Sequence, residues 1–521
     1  MERAMAPSSY PSAAASDSSA TPNKILSSLA VLLAVLMVIL DMTIVNVALP
    51  DMMGTLGATP DQITWVLTSY IVAEAIVIPM SGFLAERFGR KRVLTVSVIG
   101  FVISSMLCGQ SHSLTQMVLF RLLQGAFGAS VVPLSQATMV DSFEPEKRGK
   151  AMAIWGIGVL LGPIMGPTVG GFITDHLGWQ WVFYVNLPIG IINLLLIAAY
   201  IKPTPYTGAA MDWIGAALLA IGVGSLQMLL DRGNSEGWFA SQLIVGLAAV
   251  STICLVTFVL RSFNRPDAIL KLNLLRDRNL ATSTFLIMAF GVGMLSTIAL
   301  QPLFLEHLLG YPASTAGLVM APRGIAVAVG MIVVAALIQH VDSRWLVFFG
   351  LILSAAGTYV TTGYNLNVDR FWIIAPSIVQ GIGMGMIFVP LSTLAYQTLP
   401  KEASDQAASI FNIARTIGGS LGIAIGATVL TRATHQNLQT LAAGLNPYNP
   451  ALHAWLNSTG LPLSDPRVKE ILATELTRQS TMIGFIEAFG FVTLSFLMLI
   501  PFVLLLKQTG AASPYGMASN K

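Results

Sequence analysis

Apolar runs of about twenty residues, separated by short polar or basic segments, recur along the chain from Lys24 to Leu506. A run of that length, wound at 1.5 Å per residue, matches the hydrocarbon core of a bilayer. The pattern predicts fourteen spanning helices, near 26–49, 62–84, 92–110, 116–139, 150–173, 181–201, 212–230, 241–262, 282–303, 315–337, 345–363, 371–397, 406–431 and 481–506. The expected fold is all-α and membrane-integral. Two six-helix bundles, 25–201 and 281–507, flank two inserted spanning helices in 202–262 and a linker, 263–280. Residues 1–24 and 508–521 are polar and read as tails. A secretory leader would end in a short apolar core and a cleavage site, whereas the run after Lys24 is long enough to span. An outer segment, 432–480, carries DPRVKEILATELTR, expected to form a short surface helix.

Composition points the same way. Of 521 residues, 54% are hydrophobic and 10% charged, with mean hydropathy +0.72. Soluble domains carry about 25% charged residues, so lipid must be the main solvent of this chain. The Lys/Arg bias sets an orientation. With the N-terminus inside, the cytoplasmic segments hold 19 Lys/Arg, the outer ones 6, and the spans 3. The bias is strongest in ERFGRKR (86–92), EPEKRGK (144–150) and RSFNRPDAILKLNLLRDR (261–278). Both termini are then cytoplasmic. A net charge of +3 offers no basic face for nucleic acid. Cys108 and Cys254 lie inside apolar runs and supply neither a disulfide framework nor a metal-ligand set. No metal or cofactor is expected.

The chain also repeats itself. RLLQGAFGASVVPLSQ (121–136) resembles SIVQGIGMGMIFVPLST (377–393): Gln124-Gly125 matches Gln380-Gly381, and Pro133-Leu134-Ser135 matches Pro390-Leu391-Ser392 after one inserted residue. Each copy falls on the fourth span of a six-span set. Related halves with a substrate path between them are a common plan for secondary transporters. Ser377 stands where the first copy has Arg121, so the second half is not expected to duplicate a site built on that arginine.

Ionisable residues inside the runs are the functional candidates, because each costs about 2.5–3.5 kcal/mol or more at the bilayer centre. Asp41 stands in VLMVILDMTIVNVALP. A carboxylate there can take a proton on one side of the membrane and release it on the other; the plain alternative is a static hydrogen bond between helices. Arg121 keeps its proton and needs an acid or a carbonyl. Asp41 is its natural partner, and protonation would weaken the pair. Gln124, Gly125 and Gly128 share the Arg121 face. Glu74 lies four residues after Tyr70, whose phenol is expected to reach the carboxylate; it is a candidate for proton coupling or for attracting a cation. Arg415 shares a face with Asn412, Gly418, Gly419 and Gly422. Arg323 and Glu487 are further polar candidates, each near an outer helix end. The run GIGVLLGPIMGPTVGG (156–171) holds Gly158, Gly162, Pro163, Gly166, Pro167, Gly170 and Gly171. Proline bends helices and glycine permits close approach, so this run reads as a hinge shaping the seam between the halves.

Several motifs jointly resemble the major facilitator superfamily. GFLAERFGRKR (82–92) resembles its basic loop after the second helix, with Glu86 where the family has Asp. Arg121, Gln124 and Gly125 match its fourth-span motif, and 156–171 matches the antiporter motif. LDMTIVNVALP (40–50) is similar to fourteen-span drug/proton antiporters, and WQWVFYVNLPIG (179–190), LDRGNSEGW (230–238) and NIARTIGGSLG (412–422) to their EmrB subgroup. The resemblance covers nearly all of 25–506. It implies two facilitator bundles and an exporter of lipophilic compounds driven by inward proton flow through Asp41 and Arg121. The functional reading of loop 82–92 is a cytoplasmic gate at Gly82, Glu86, Arg87, Gly89 and Arg90, with Glu86 and Arg87 as its latch; the plain alternative is that Arg87, Arg90, Lys91 and Arg92 only set topology. The resemblance also implies an EmrA-type membrane fusion protein and an outer-membrane channel as partners. The alternative within the class is an exporter of one metabolite, lipid or siderophore. A nucleotide-driven pump lacks its Gly-x-x-x-x-Gly-Lys-Ser/Thr loop, and a metalloprotease lacks His-Glu-x-x-His. A channel does not account for the paired motifs, and saturable flux would exclude a scaffold or sensor.

Overall fold

The computed structural model describes residues 24–507, apart from 145–146, 205–207, 209–210, 264, 266–267, 446–447, 451, 453 and 455–465. The two expected tails and most of the loop at the tip of 432–480 lie outside the described residues. The described chain is helical throughout. Its long helices are α1 (Lys24–Leu56), α2 (Trp65–Phe88), α3 (Arg90–Gly109), α4 (Leu114–Ser142), α5 (Arg148–Leu177), α6 (Trp181–Tyr200), α7 (Trp213–Arg232), α8 (Gln242–Phe263), α9 (Arg278–Leu308), α10 (Ala313–Leu337), α11 (Ser343–Thr361), α12 (Arg370–Gln397), α13 (Ser404–Gly444) and α14 (Arg467–Leu505). Thirteen meet the length and apolarity needed to cross a membrane among the described residues. The other is α5, 30 residues long and laid along α1. Fourteen spans result, as the hydrophobic runs predict.

The internal repeat is visible in the packing. In the first half α1 packs on α5 and α6, α4 on α2 and α3, and α3 on α6. In the second, α9 packs on α13 and α14, α12 on α10 and α11, and α11 on α14. The Gln-Gly pair of each copy does the same work. A Cβ at Gly125 would strike the backbone carbonyl of Tyr70, and one at Gly381 the carbonyl of Arg323. Both glycines let two helix backbones touch, and they make Tyr70 on α2 and Arg323 on α10 equivalent places.

The first and last described residues lie at one end of the bundle, hereafter the terminal face. Lys24 pairs with Glu144 in the α4–α5 connection, and the Lys507 amide donates to Asn279 at the start of α9. The opposite end is the distal face. The halves meet along α2 with α13 and α5 with α10. The inserted helix α7 packs on both α2 and α13. Its partner α8 turns Leu243, Val245, Val250, Ile253, Val256 and Leu260 outward, as a lipid-facing helix does.

One expectation is corrected. DPRVKEILATELTR does not form a separate surface helix: from Pro466 it is the first part of the helix that continues through the membrane span. Proline suits a first helical turn, and no further proline occurs before Pro501, so nothing breaks the helix at the membrane surface. The 41-residue α13 is likewise continuous and about 60 Å long at 1.5 Å per residue. Both overshoot a bilayer core of about 30 Å and project from the distal face.

Candidate functional site

Asp41 sits in the middle of α1 with its side chain 0% exposed, facing α4 and α6. Three donors converge on it. Arg121 Nη1 lies 2.7 Å from Oδ2; Gln124 Nε2 and Asn186 Nδ2 lie 2.9 and 2.8 Å from Oδ1. The arginine is held on every side. Its Nε donates to the Val66 carbonyl at 3.1 Å and its Nη1 also to Gln124 Oε1 at 2.7 Å. The Tyr70 ring covers the guanidinium, 4.3 Å from centroid to Cζ. Asn186 is tied to Ser105 Oγ at 3.0 Å. The network satisfies a buried charge pair with further hydrogen bonds, the condition under which such pairs are tolerated. The Asp41–Arg121 partnership was legible in the sequence; Asn186 was not singled out. It stands in the quoted WQWVFYVNLPIG, where an amide among aromatics reads as an interface residue.

Tyr70 and Glu74 do not meet as expected. Tyr70 turns fully into the first half, onto Arg121, and its hydroxyl has no hydrogen-bond partner. Residues four apart on a helix differ by about 40° around its axis. Glu74 uses that difference to stay half-buried, with Arg415 of the opposite half and Arg121 as the cations whose fields reach it. Arg415 Nη2 donates to Asn412 Oδ1 at 3.2 Å, and Asn412 Nδ2 crosses between the halves to Gln136 Oε1 at 2.5 Å. Arg323 is buried and donates to Gln301 Oε1 at 2.5 Å. Glu487 is exposed and accepts from Asn437 Nδ2 at 2.9 Å, so it belongs to the outer surface of the α13–α14 pair.

The basic loop joins the halves at the terminal face. Gly82 presses α2 on α13: a Cβ there would lie 2.9 Å from Asp405 O, Gln406 Cα and Ser409 Oγ. Its amide donates to Ser409 Oγ at 2.8 Å, which also meets Ser81 Oγ at 2.8 Å. Gly89, at φ +86°, breaks α2 from α3, a conformation that favours glycine. Arg90 then reaches Asp405 and Asp141, each at 2.7 Å, and Asp141 accepts from Ser404 at 2.9 Å. Glu86 pairs with Lys271 of the linker at 2.8 Å, and Arg87 lies over Phe88. The residue that ties α3 and α4 to α13 is therefore Arg90, with two carboxylates, Asp141 and Asp405, that sequence reasoning passed over. Both stand at helix ends, where an acid reads as ordinary solvated surface. Arg148 adds a bond to the Tyr396 carbonyl, and Trp155 stacks on Phe388 at 6.0 Å.

The glycine run of α5 is placed differently from expectation. Gly158, Gly162, Gly166 and Gly170, four apart, meet Leu32, Ile39, Thr43 and Ile44 of α1. Thr43 Oγ1 donates to the Gly162 carbonyl. This face packs within the first half; the run reaches the seam at its first residue, Gly156, which meets Met331 of α10, as Gly149 before it meets Ile338. Four-residue spacing gives the run one face, and α1 occupies it. Gly171 faces open space. The side chains of Pro163 and Pro167 lie outside the described residues. No cluster among the described residues could hold a metal ion.

Comparison with known proteins adds the family. Residues 31–423 match the model of the Major Facilitator Superfamily. The chain belongs to the major facilitator superfamily. It is 35% identical to the fatty acid resistance protein FarB of Neisseria gonorrhoeae, over 91% of this chain and 94% of that one. It is 34% identical to the multidrug export protein EmrB of Escherichia coli K12, over 94% and 97%. These relatives place it in the EmrB-type branch of that superfamily, as a multi-pass membrane transporter. Among solved structures, the human organic anion transporter MFSD10 superposes with a TM-score of 0.60 at 15% identity, covering 94% of this chain and all of that one. That likeness is one of fold.

Proposed function

We propose that this transporter exports lipophilic compounds, cationic ones among them, in exchange for protons by alternating access. The observation that carries the reading is the fully buried Asp41–Arg121 pair with its two amide donors. Protonating Asp41 removes the charge that holds Arg121. That supplies the differential stability between states without which no proton could drive a conformational change. Glu74, half-buried and facing the opposite half, is the second proton or cation site. The names of the EmrB and FarB relatives support export of drugs and of lipid-like compounds; FarB keeps export of a single lipid class as a second reading.

The Lys/Arg bias supports a cytoplasmic terminal face in a bacterial inner membrane. On that orientation, Gly82, Glu86, Arg87, Gly89 and Arg90 form a closed cytoplasmic gate and the molecule faces outward. The glycine face of α5 lets α1, which carries Asp41, move closely against its neighbour. The distal projection of α13 and α14 is where an EmrA-type fusion protein, leading to an outer-membrane channel, would dock.

The test uses proteoliposomes, an imposed pH gradient and a fluorescent lipophilic cation. Wild type moves the dye with the gradient; Asp41→Asn binds it but does not move it. Equal movement by both proteins would shift coupling to Glu74 and sink the role given to Asp41.

A further inference from the structure

The second half carries a polar site that proton coupling does not use. Gln380 Nε2 donates to Thr297 Oγ1 at 3.1 Å and Thr358 Oγ1 at 2.8 Å. Its equivalent, Gln124, donates to Asp41, so Thr297 stands where the first half has its carboxylate. Ser377 stands where the first half has Arg121. The cation comes instead from α10: Arg323, 8% exposed, donates to Gln301 Oε1, and Gln301 Nε2 donates on to Ser377 Oγ at 2.9 Å. No carboxylate among the described residues pairs with Arg323. A guanidinium keeps its proton, and a neutral amide offsets only part of the cost of burying it. The first half meets the same problem with an acid; the second leaves the charge uncompensated.

From this the geometry points to a binding site for the anionic head of an amphiphile, a carboxylate, at Arg323, Gln301 and Ser377. Guanidinium–carboxylate hydrogen bonds are charge-assisted, and the site has the hydroxyl and amide to complete the set. Beside it lies a cavity of about 10 Å³, room for a single water, whose walls include Gln301, Ser377, Phe304 and Phe489. A wall that mixes polar and aromatic side chains suits a charged head joined to an apolar tail. Admitting the head requires α9 to shift, and α9 is built to do so. Pro302 follows Gln301 directly, and residues 304–308 form a π-turn, a departure from α-helix that recurs at functional sites. The site thus extends the export reading to anionic amphiphiles held apart from the proton pair.

The role in transport rests on the export reading, but the test is made at equilibrium without a gradient, so failure of proton coupling leaves its readout standing. Full-length protein in nanodiscs is titrated calorimetrically with dodecanoate and, separately, with dodecyltrimethylammonium, which share a tail and differ in the sign of the head. Arg323→Gln is expected to weaken dodecanoate about tenfold or more, the loss of a charge-assisted hydrogen bond, with the cation unchanged. Arg323→Lys loses less, because it keeps the charge without the fork. Unchanged dodecanoate affinity, or equal weakening of both probes, overturns the proposal. If Arg323→Gln does not fold, Arg323→Lys and Ser377→Ala carry the same comparison. Selective weakening of the anion supports the site, and no selectivity overturns it.

Discussion

At the scale of the residue, the Asp41 network behaves as one unit. Removing one partner of a buried ion pair leaves the other charge unpaired and costs about 3–5 kcal/mol. Removing one neutral donor costs about 1–3 kcal/mol. Arg121→Leu should therefore lower the melting temperature of the detergent-solubilised protein more than Asn186→Leu. Asp41→Asn combined with Arg121→Leu should cost less than the sum of the two, because the pair leaves together. Additive losses would mean that the two side chains are not energetically paired. The core of this network could be read from sequence, since an acid and an arginine in apolar runs each demand a partner. Asn186 could not. A neutral amide makes no such demand, and one sequence does not say which of α6's faces meets α1. Arg323 was visible as an intramembrane cation, but its lack of a carboxylate is a fact of three dimensions.

At the scale of the element, the contacts that matter are those of helix pairs. Gly82→Leu inserts a branched side chain where a single Cβ already has no room between α2 and α13. It should open the terminal face and abolish transport while leaving the protein folded. The opposite manipulation uses the meeting of Ser81 and Ser409 hydroxyls at 2.8 Å. In the double variant Ser81→Cys, Ser409→Cys, oxidation should arrest transport and a reductant restore it. Full transport by the cross-linked protein would mean that the terminal face need not open. The inserted pair has a pH-sensitive base. Asp212 caps α7 through the Gly215 amide at 3.1 Å and accepts from Arg261 of α8 at 2.9 Å. The Arg261 hydrogen bond, against the opposing effect of burial, holds this carboxyl below the usual range. A lowered folded-state pKa contributes stability above the unfolded value, about 3.9, and that stability is lost as pH falls through the lower folded value. Below about pH 4 the α7–α8 base should loosen, seen as faster hydrogen exchange over 212–216, and Asp212→Asn should remove the pH dependence. Helix positions and the repeat were readable from hydrophobic runs. The continuity of α13 and α14 past the membrane was not, because a polar, charged stretch reads the same as a loop and as a solvated helix.

At the scale of the whole molecule, the two lateral seams differ, and the inserted pair makes the difference. Across the α5–α10 seam, Gly149 meets Ile338 and Gly156 meets Met331 towards the terminal face. At the α2–α13 seam α7 and the connection that follows it, residues 233–241, bridge both halves well above that level. On the first half, Asp231 accepts from Thr68, and Arg232 lies over Trp65 at 4.5 Å. On the second, Gln227 accepts from Ser420, Trp238 Nε1 donates to Thr428 at 2.9 Å and Asn234 Nδ2 to Thr431 at 3.3 Å. From sequence, α7 and α8 read only as two inserted spanning helices. Their composition says only that they span, since apolar residues facing lipid and facing protein are alike. The structure keeps α8 at the periphery and makes α7 a tie across one seam. Cutting the tie at its distal end tests this. Asn234→Ala with Trp238→Ala removes both bonds to α13 near the distal face and leaves the terminal contacts untouched. Backbone exchange followed by mass spectrometry should then rise over 420–431 of α13 and stay unchanged over 404–412, where Arg90 and Gly82 hold it. Faster exchange in both segments would show that α7 stabilises the whole of α13. No change in either would show that α13 is held by α9 and α14 alone, with the inserted pair a passive neighbour.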